Sequence, residues 1–292
     1  MNISTAPRVL AGITTRNRAA ILPKALASLR AQSYPKLSIA VLDDGSEDAT
    51  PSLAGQYPGV HWQRHATPLG IIESRNELMR GTEAEYYLSL DDDAWFLHGD
   101  EIAIAVNHLQ THPTQAAVAF DILSPDRPEP VPRTAPVPVA MFIGCGHLLR
   151  LSSVREAGYY APSPGAYGSE EKDLSLRLGD LDRGIALLPG VHIWHDKAWT
   201  GRDWYPLHRS GVCNELVMTL RRCPLPDLIL VLPLKIASFA WYWIRAPRFL
   251  CAGLAGLTQF LRLCPAACRT RVPVRRDTFW RLSRHHQPRS PS

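Results

Sequence analysis

Paired-cysteine motifs, a secretory leader and the common phosphate-binding loops are all missing from this 292-residue sequence. Its six cysteines (Cys145, Cys213, Cys223, Cys251, Cys264 and Cys268) show no CxxC spacing, and Cys264 and Cys268 have no histidine partner nearby. A disulfide framework and a zinc site are therefore disfavoured, and free thiols are expected. The apolar run 9–13 is too short for the core of a signal peptide, and polar residues 14–18 follow at once, so a cytoplasmic body is expected. No GxGxxG follows that run, which counts against an NAD enzyme, and neither GxxxxGK[ST] nor GxSxG occurs. No internal repeat is visible.

Acidic residues are scarce in the last quarter. From Arg221 onward, 13 Lys and Arg face only Asp227 and Asp277, a net of +11. The chain totals +5, so the first 220 residues carry −6. An acidic body joined to a basic, apolar tail suggests two jobs. A hydrophobic content of 46% excludes wholesale disorder and allows one large domain plus an appendage. The boundaries expected are 1–220 for the body, 221–284 for a basic apolar helical region and 285–292 for a disordered tail.

Within the body, apolar runs at 8–13, 37–42, 59–63, 86–90 and 116–123 read as strands. Helices are expected after Pro23, with Ile21, Leu22, Leu26 and Leu29 toward one face, then over 70–81 and 100–111. The proline-rich stretch 124–138 reads as an extended loop, with strand-like VAMFIG (139–144) directly after it. Alternating strands and helices predict an α/β fold with a mostly parallel, Rossmann-like sheet flanked by helices. In such sheets ligands bind outside the carboxyl ends of the strands.

Two acidic clusters fall at those ends. Asp91-Asp92-Asp93 closes the run YYLSL, and three adjacent carboxylates need solvent, a cation or a partner to offset their repulsion. Hard oxygen ligands suit Mg²⁺ or Mn²⁺, especially beside phosphates; a solvated acidic loop is the plainer reading. Asp43-Asp44-Gly45-Ser46 closes the second strand. It is either a plain Asp-Gly turn or a place where a carboxylate accepts hydrogen bonds from a base or ribose while Gly45 admits close backbone approach.

The run Thr14-Thr15-Arg16-Asn17-Arg18, then Leu29-x-x-Gln32-x-Tyr34, Asp43-Asp44-Gly45-Ser46, Ser74-Arg75-Asn76 and Leu90-Asp91-Asp92-Asp93 resembles the family 2 inverting glycosyltransferases, most closely their rhamnosyltransferase-like branch. The resemblance covers residues 8–215, about 70% of the chain. It implies the GT-A nucleotide-diphospho-sugar transferase fold with a C-terminal helical appendage. It also implies donor contacts at Thr14, Arg16, Asp43, Asp44, Arg75, Asp91 and Asp92, although Arg75 could equally lie on a helix surface. Downstream, Glu170-Glu171-Lys172-Asp173-Leu174-Ser175-Leu176-Arg177 resembles the family's Glu-Asp-x-Asp-Leu-x-x-Arg helix. The general base then falls on Glu171, a Glu where Asp is usual, which leaves Glu170 as its rival. Acids that simply favour a helix N-terminus are the plainer reading. His195 corresponds to the family histidine that joins Asp93 at the metal, with His192 as the fallback. Gly144-Cys145-Gly146, with Glu170, sits on the acceptor side in the family; a simple glycine turn is the alternative.

The resemblance implies a metal-dependent inverting hexosyltransferase using Mn²⁺ or Mg²⁺. Its partners would be a nucleotide-diphosphate sugar and a glycan or lipid-linked acceptor, with no nucleic acid. A sugar-nucleotide nucleotidyltransferase would show a Gly-rich basic loop where residues 14–18 stand. A non-catalytic membrane scaffold would have lost the acidic motifs. In the tail, the apolar runs 228–244, interrupted by Pro233 and Lys235, and 250–263 fall short of a comfortable span. Trp241, Tyr242 and Trp243 and flanking arginines fit attachment to an anionic surface, peripheral on the cytoplasmic face of the inner or plasma membrane. A helical subdomain packed on the body, and a true span, are the alternatives.

Overall fold

The protein was analysed as a computed structural model that describes residues 6–165, 168–196 and 203–284. The chain runs β1 (Val9–Thr15), α1 (Leu22–Arg30), β2 (Leu37–Asp43), β3 (Val60–Arg64), α2 (Ile71–Arg80), β4 (Tyr86–Leu90), β5 (Ala94–Phe96), α3 (Glu101–Thr111) and β6 (Gln115–Leu123). It continues with β7 (Val137–Pro138), β8 (Gly146–Arg150), α4 (Leu151–Ala157), α5 (Glu170–Asp180), β9 (Gly184–His195), α6 (Trp204–Arg222), α7 (Asp227–Arg245), α8 (Leu250–Arg269) and α9 (Arg276–Arg284). The sheet order is β3-β2-β1-β4-β8-β6-β9-β5, with β7 on β9. The β3-β2-β1-β4 half is parallel; β8 enters antiparallel between β4 and β6.

Strands buried on both faces carry unbroken apolar runs, and β1 and β4 do so here. One apolar layer joins α1 and α3 through Leu22, Leu26, Leu29, Ile102 and Val106. The opposite layer joins α2, α4 and α5 through Leu78, Met79, Val154, Leu174 and Leu178. The expected strands and helices up to residue 123 are all present within a residue or two. VAMFIG is a correction: residues 139–144 form no strand, and the strand is the next segment, β8. Pro138 and the turn at Gly144 and Cys145 bound the apolar run, whereas Leu148 and Leu149 fill the slot between β4 and β6.

The C-terminal helices are present as a separate layer. α6, on the body side of the expected boundary, shares an apolar cluster with α7 and α8 through Val212, Leu216, Trp243 and Phe260. Gly256 lets α8 approach the Arg209 backbone of α6, where a side chain would collide. Arg222 pairs with Asp173 of α5 at 2.6 Å, and Arg276 with Asp227 at 2.6 Å. Part of the tail's positive charge is thus spent on acids of the fold. α8 runs past Pro265, so the second apolar helix is longer than its apolar run. The segments 227–245 and 247–269 are both long and apolar enough to cross a membrane by length and composition. Residues 285–292 lie outside the described residues.

Candidate active site

The site forms where β1, β2 and β4 end. Asp91 turns the chain after β4: its N–H donates to the Cys145 carbonyl, and its own carbonyl accepts from Ala94. That turn sends β5 back antiparallel to β9, setting Ala94 opposite His195. As a result His195 Nε2 lies 3.1 Å from Asp93 Oδ1, although the two residues are far apart in sequence. Ligand atoms of Asp91, Asp93 and His195 all fall within 4.8 Å of one another. Like charges this close repel by a few kcal/mol at an effective dielectric of about 20; Arg75 offsets Asp91, and a cation beside Asp93 would offset the rest. His195 Nδ1 is buried with no hydrogen-bond partner among the described residues, which leaves the ring unspent on structure. The donor set, two carboxylates and an imidazole, fits Mn²⁺ or Mg²⁺ with room for phosphate oxygens.

Asp92 makes separate contacts, with the end of β1 and the segment after it. Its carboxylate accepts from Thr15 Oγ1 at 2.7 Å and lies 3.8 Å from Arg18 Nε. Burial lifts its pKa to about 7, against the Thr15 hydrogen bond and with the charges of Asp93 and Asp91 adding to the rise. Thr15 and Arg18 belong to the 14–18 motif, and it is they, rather than Thr14 and Arg16, that contact the acidic cluster. The signal was available, since neighbours on a strand face opposite ways. Thr14 is half-buried, and Arg16 is exposed, 3.9 Å from Glu47.

Arg75 is not on a helix surface. It is 3% exposed, and its Nη2 sits 2.6 Å from Asp91 Oδ1 and 3.1 Å from the Gly144 carbonyl. Its Nη1 lies 3.6 Å from Glu171 Oε1. One buried guanidinium therefore bridges the metal-ligand cluster and the α5 carboxylate. Beneath it, His147 and Tyr160, neither singled out from sequence, share a 2.8 Å hydrogen bond. Burial, reinforced by Arg75, drives the His147 pKa down to about 3, so the imidazole stays neutral.

Glu171, in the first turn of α5, has 16% of its side chain exposed. Burial and then the neighbouring Glu170 raise its pKa to about 7, with Arg75 opposing. Glu170 is turned inward and accepts from the Gly168 N–H. The Gly144 backbone lies against Glu171, and any Cβ there would overlap the carboxylate. Cys145 is buried, and Gly146 makes room for Ile193 of β9.

The pair at the end of β2 divides its work. Asp43 Oδ1 accepts from the Ser46 N–H at 2.8 Å, while Oδ2 is buried without a hydrogen bond, 3.4 Å from Arg64 Nε. Asp44 is occupied: it accepts from the N–H groups of Leu69 and Gly70 and from His65. Those bonds tie the loop before α2 to β2, and Gly70 at φ +94° makes that turn possible. His192 lies opposite Asp121 in the β6–β9 register, away from the Asp93 pair.

The sequence profile described as "Glycosyl transferase family 2" matches residues 11–148. No curated protein aligns significantly with the chain. Among solved structures, a mannosyltransferase from Pyrobaculum calidifontis in complex with GDP-Man and Mn²⁺ is 18% identical, with a TM-score of 0.61 over 90% of this chain and 77% of that one. S. aureus TarS 1-349 in complex with UDP-GlcNAc is 15% identical, with a TM-score of 0.64 over 91% of this chain and 84% of that one. GalNAc-T7 with UDP, GalNAc and Mn²⁺ is 15% identical at a TM-score of 0.62, over 76% of this chain and 49% of that one. At these identities the likeness speaks to fold, and the fold agrees with the profile over the segment that carries β1 to β8. Residues 11–148 thus match the glycosyl transferase family 2 profile, and the chain has the GT-A fold of these neighbours.

Proposed function

We propose that the protein is a metal-dependent, inverting hexosyltransferase. It moves a sugar from a nucleotide-diphosphate donor to a hydroxyl of a lipid-linked or glycan acceptor, in the synthesis of a cell-surface polysaccharide or glycolipid. One observation carries the reading: a single buried Arg75 holds Asp91 of the Asp91–Asp93–His195 cluster at one terminal nitrogen and Glu171 at the other. Such an arrangement separates leaving-group chemistry from acceptor chemistry across a fixed distance. The structural neighbours crystallised with Mn²⁺ support the choice of metal.

Asp93 and His195, together with Asp91, would hold Mn²⁺ or Mg²⁺, which would supply Lewis-acid neutralisation of the departing diphosphate. Asp43 Oδ2, buried and without a hydrogen bond, is the group that accepts from the nucleoside. Thr14 and Arg16 flank the donor from the β1 end, and Asp92 fixes the loop by holding Thr15 and Arg18. Glu171 takes the proton of the attacking hydroxyl; a carboxylate with a pKa of about 7 is matched to that task near neutral pH. Attack by a hydroxyl activated at Glu171, with departure toward the Asp91–Asp93–His195 cluster, is a single displacement and inverts the anomeric centre. Gly144 keeps the approach to the base open, with Cys145 and Gly146 shaping the same acceptor-side turn.

The α7 and α8 layer would hold the body peripherally on the cytoplasmic face of the membrane. Exposed Ile229, Leu230, Trp241 and Ile244 support attachment, with Arg245 beside Trp241. The test is a donor screen. Individual UDP-, GDP- and dTDP-sugars are incubated with protein and Mn²⁺ or Mg²⁺, and nucleotide diphosphate release is followed with and without lipid-linked acceptors. Acceptor-stimulated release from one donor, abolished by EDTA, is expected. No release from any donor, or release indifferent to EDTA, contradicts the reading.

A further inference from the structure

A cavity of about 320 Å³ lies between the body and α7, and the transfer chemistry above does not use it. Its walls include Leu176 of α5, Met218 of α6, Val231 and Leu234 of α7 and Phe279 of α9. The cavity is partly open to solvent, and its volume falls within the range of about 300–1,000 Å³ that ligand pockets occupy.

The polar groups at this cavity are unusual. Lys172 Nζ sits 2.6 Å from Glu215 Oε1, and Lys235 pairs with the same oxygen. Two ammonium groups thus share one carboxylate, and both lysines line the cavity. Burial would raise the Glu215 pKa, but the two lysines outweigh it and hold it at about 2, so the trio keeps a net +1 charge near neutral pH. Both lysine side chains are partly exposed, so the surplus charge is reachable. Ser175, on the same wall, is 2% exposed, and its Oγ has no hydrogen-bond partner among the described residues.

The position links the cavity to both ends of the molecule. Lys172 directly follows Glu171 on α5. Ala140 and Met141 line the cavity and lead into Gly144, whose backbone lies on the Glu171 carboxylate. On the other side Leu234 belongs to the outward apolar face of α7. An apolar chamber with surplus positive charge, lined by the residue next to the base on one side and by the exposed apolar face of α7 on the other, suits one kind of molecule.

We propose that this cavity receives the apolar chain of the acceptor, an anionic single-chain lipid whose phosphate meets Lys172 and Lys235. The proposal rests on the transferase reading and deepens it by naming the acceptor's chemical class. It accounts for the shared carboxylate: Glu215 holds both ammonium groups in place until a phosphate adds the second negative charge.

The test uses the full chain and dodecyl phosphate below its micelle concentration, with inorganic phosphate and dodecanol as separate arms, read by calorimetry. Dodecyl phosphate is expected to bind one to one, at least tenfold more tightly than either partial probe. Ser238→Trp, which fills the cavity from the α7 side, and Lys235→Gln, which removes half of the ammonium pair, should each weaken binding at least tenfold. Nucleotide diphosphate affinity should not change in either variant, and Ser238→Trp, which touches no ion pair, should keep the melting temperature. Inorganic phosphate binding as well as dodecyl phosphate would reduce the site to an anion site and overturn the proposal. So would dodecanol binding equally well, or unchanged dodecyl phosphate affinity in Ser238→Trp. Donor turnover by the wild-type protein is measured alongside. Its absence would sink the transferase reading, whereas turnover without dodecyl phosphate binding would sink the lipid site alone.

Discussion

Asp93 is 4% exposed and Leu230 is 68% exposed. The body buries its charge at the strand ends, whereas α7 turns its hydrophobes outward. Each region inverts the usual preference in which apolar side chains go inside and carboxylates face water. Under the proposed function each inversion is met from outside the chain: by a cation and phosphates at the first, by an apolar phase at the second. The arginines sharpen the contrast. Arg75 is spent inside the site, and Arg222, Arg275 and Arg276 are spent on acids that clamp the helical layer to itself and to the body. Arg245 and Arg248 instead lie beside the rings of Trp241 and Phe249, and under the proposed attachment they would meet an anionic surface.

The largest expected effect breaks the body's half of this contrast. Asp93→Ala should lower kcat/KM for transfer by at least about 10³-fold, because neutralisation of the leaving group is worth several kcal/mol and each 1.36 kcal/mol is tenfold in rate. Circular dichroism and melting temperature should be preserved. Retained turnover would remove the Asp93 side chain from the chemistry.

Glu171→Gln comes next, with a fall of about 10²–10⁴-fold and unchanged nucleotide affinity. The pH profile separates base from bystander. Burial and Glu170 raise the Glu171 pKa to about 7, so the carboxylate is protonated and inactive below that value. Wild-type kcat/KM should therefore fall about tenfold per pH unit below about 7 and level off above it. The limb should vanish in Glu171→Gln, and a limb that persists would assign the base elsewhere. If Glu170→Gln is the crippling change instead, the base is its neighbour.

A paired substitution addresses the outer face of α7. Ile229→Glu with Leu230→Glu should move most of the protein from the membrane pellet to the high-speed supernatant, leaving turnover on a soluble acceptor intact. Ending the chain near Arg222 would be a poorer test, because it strips α7 and α8 from the apolar side of α6. An unchanged pellet fraction would contradict surface attachment through this face.

The smallest effect distinguishes two neighbouring carboxylates. Asp44→Asn removes charge from a group already holding Leu69, Gly70 and His65, and should cost about 1–3 kcal/mol of stability in urea unfolding with little change in donor KM. Asp43→Asn should do the reverse, raising donor KM at nearly constant stability. Matching outcomes for the two would erase the division of labour at the end of β2.

Legibility followed the same division. β4 is five consecutive apolar or small residues with three carboxylates after it, and both its span and the site it introduces are readable from local pattern. β9 is harder, because Pro189 and Gly190 interrupt it and its register on β6 shifts past Ala119. Only its last residues, with His195, stood out. β8 was displaced because an apolar run, 139–144, lay next to it. Arg75 is named from sequence as a donor contact, but its bridge from Asp91 to Glu171 is not legible there: a helix position reveals a face, not that the face is roofed by Gly144 and Glu171. Likewise Asp43 and Asp44 are equivalent in sequence, and only the loop returning from His65 to Gly70 tells them apart.

Anomalous diffraction from crystals soaked with Mn²⁺ and a nucleoside diphosphate bears on the contrast at its root. A single manganese peak within bonding distance of Asp93 and His195, lost in Asp93→Ala crystals, is the result expected from a buried cluster that needs a cation. A manganese peak elsewhere on the chain, or one that survives Asp93→Ala unchanged, would contradict it.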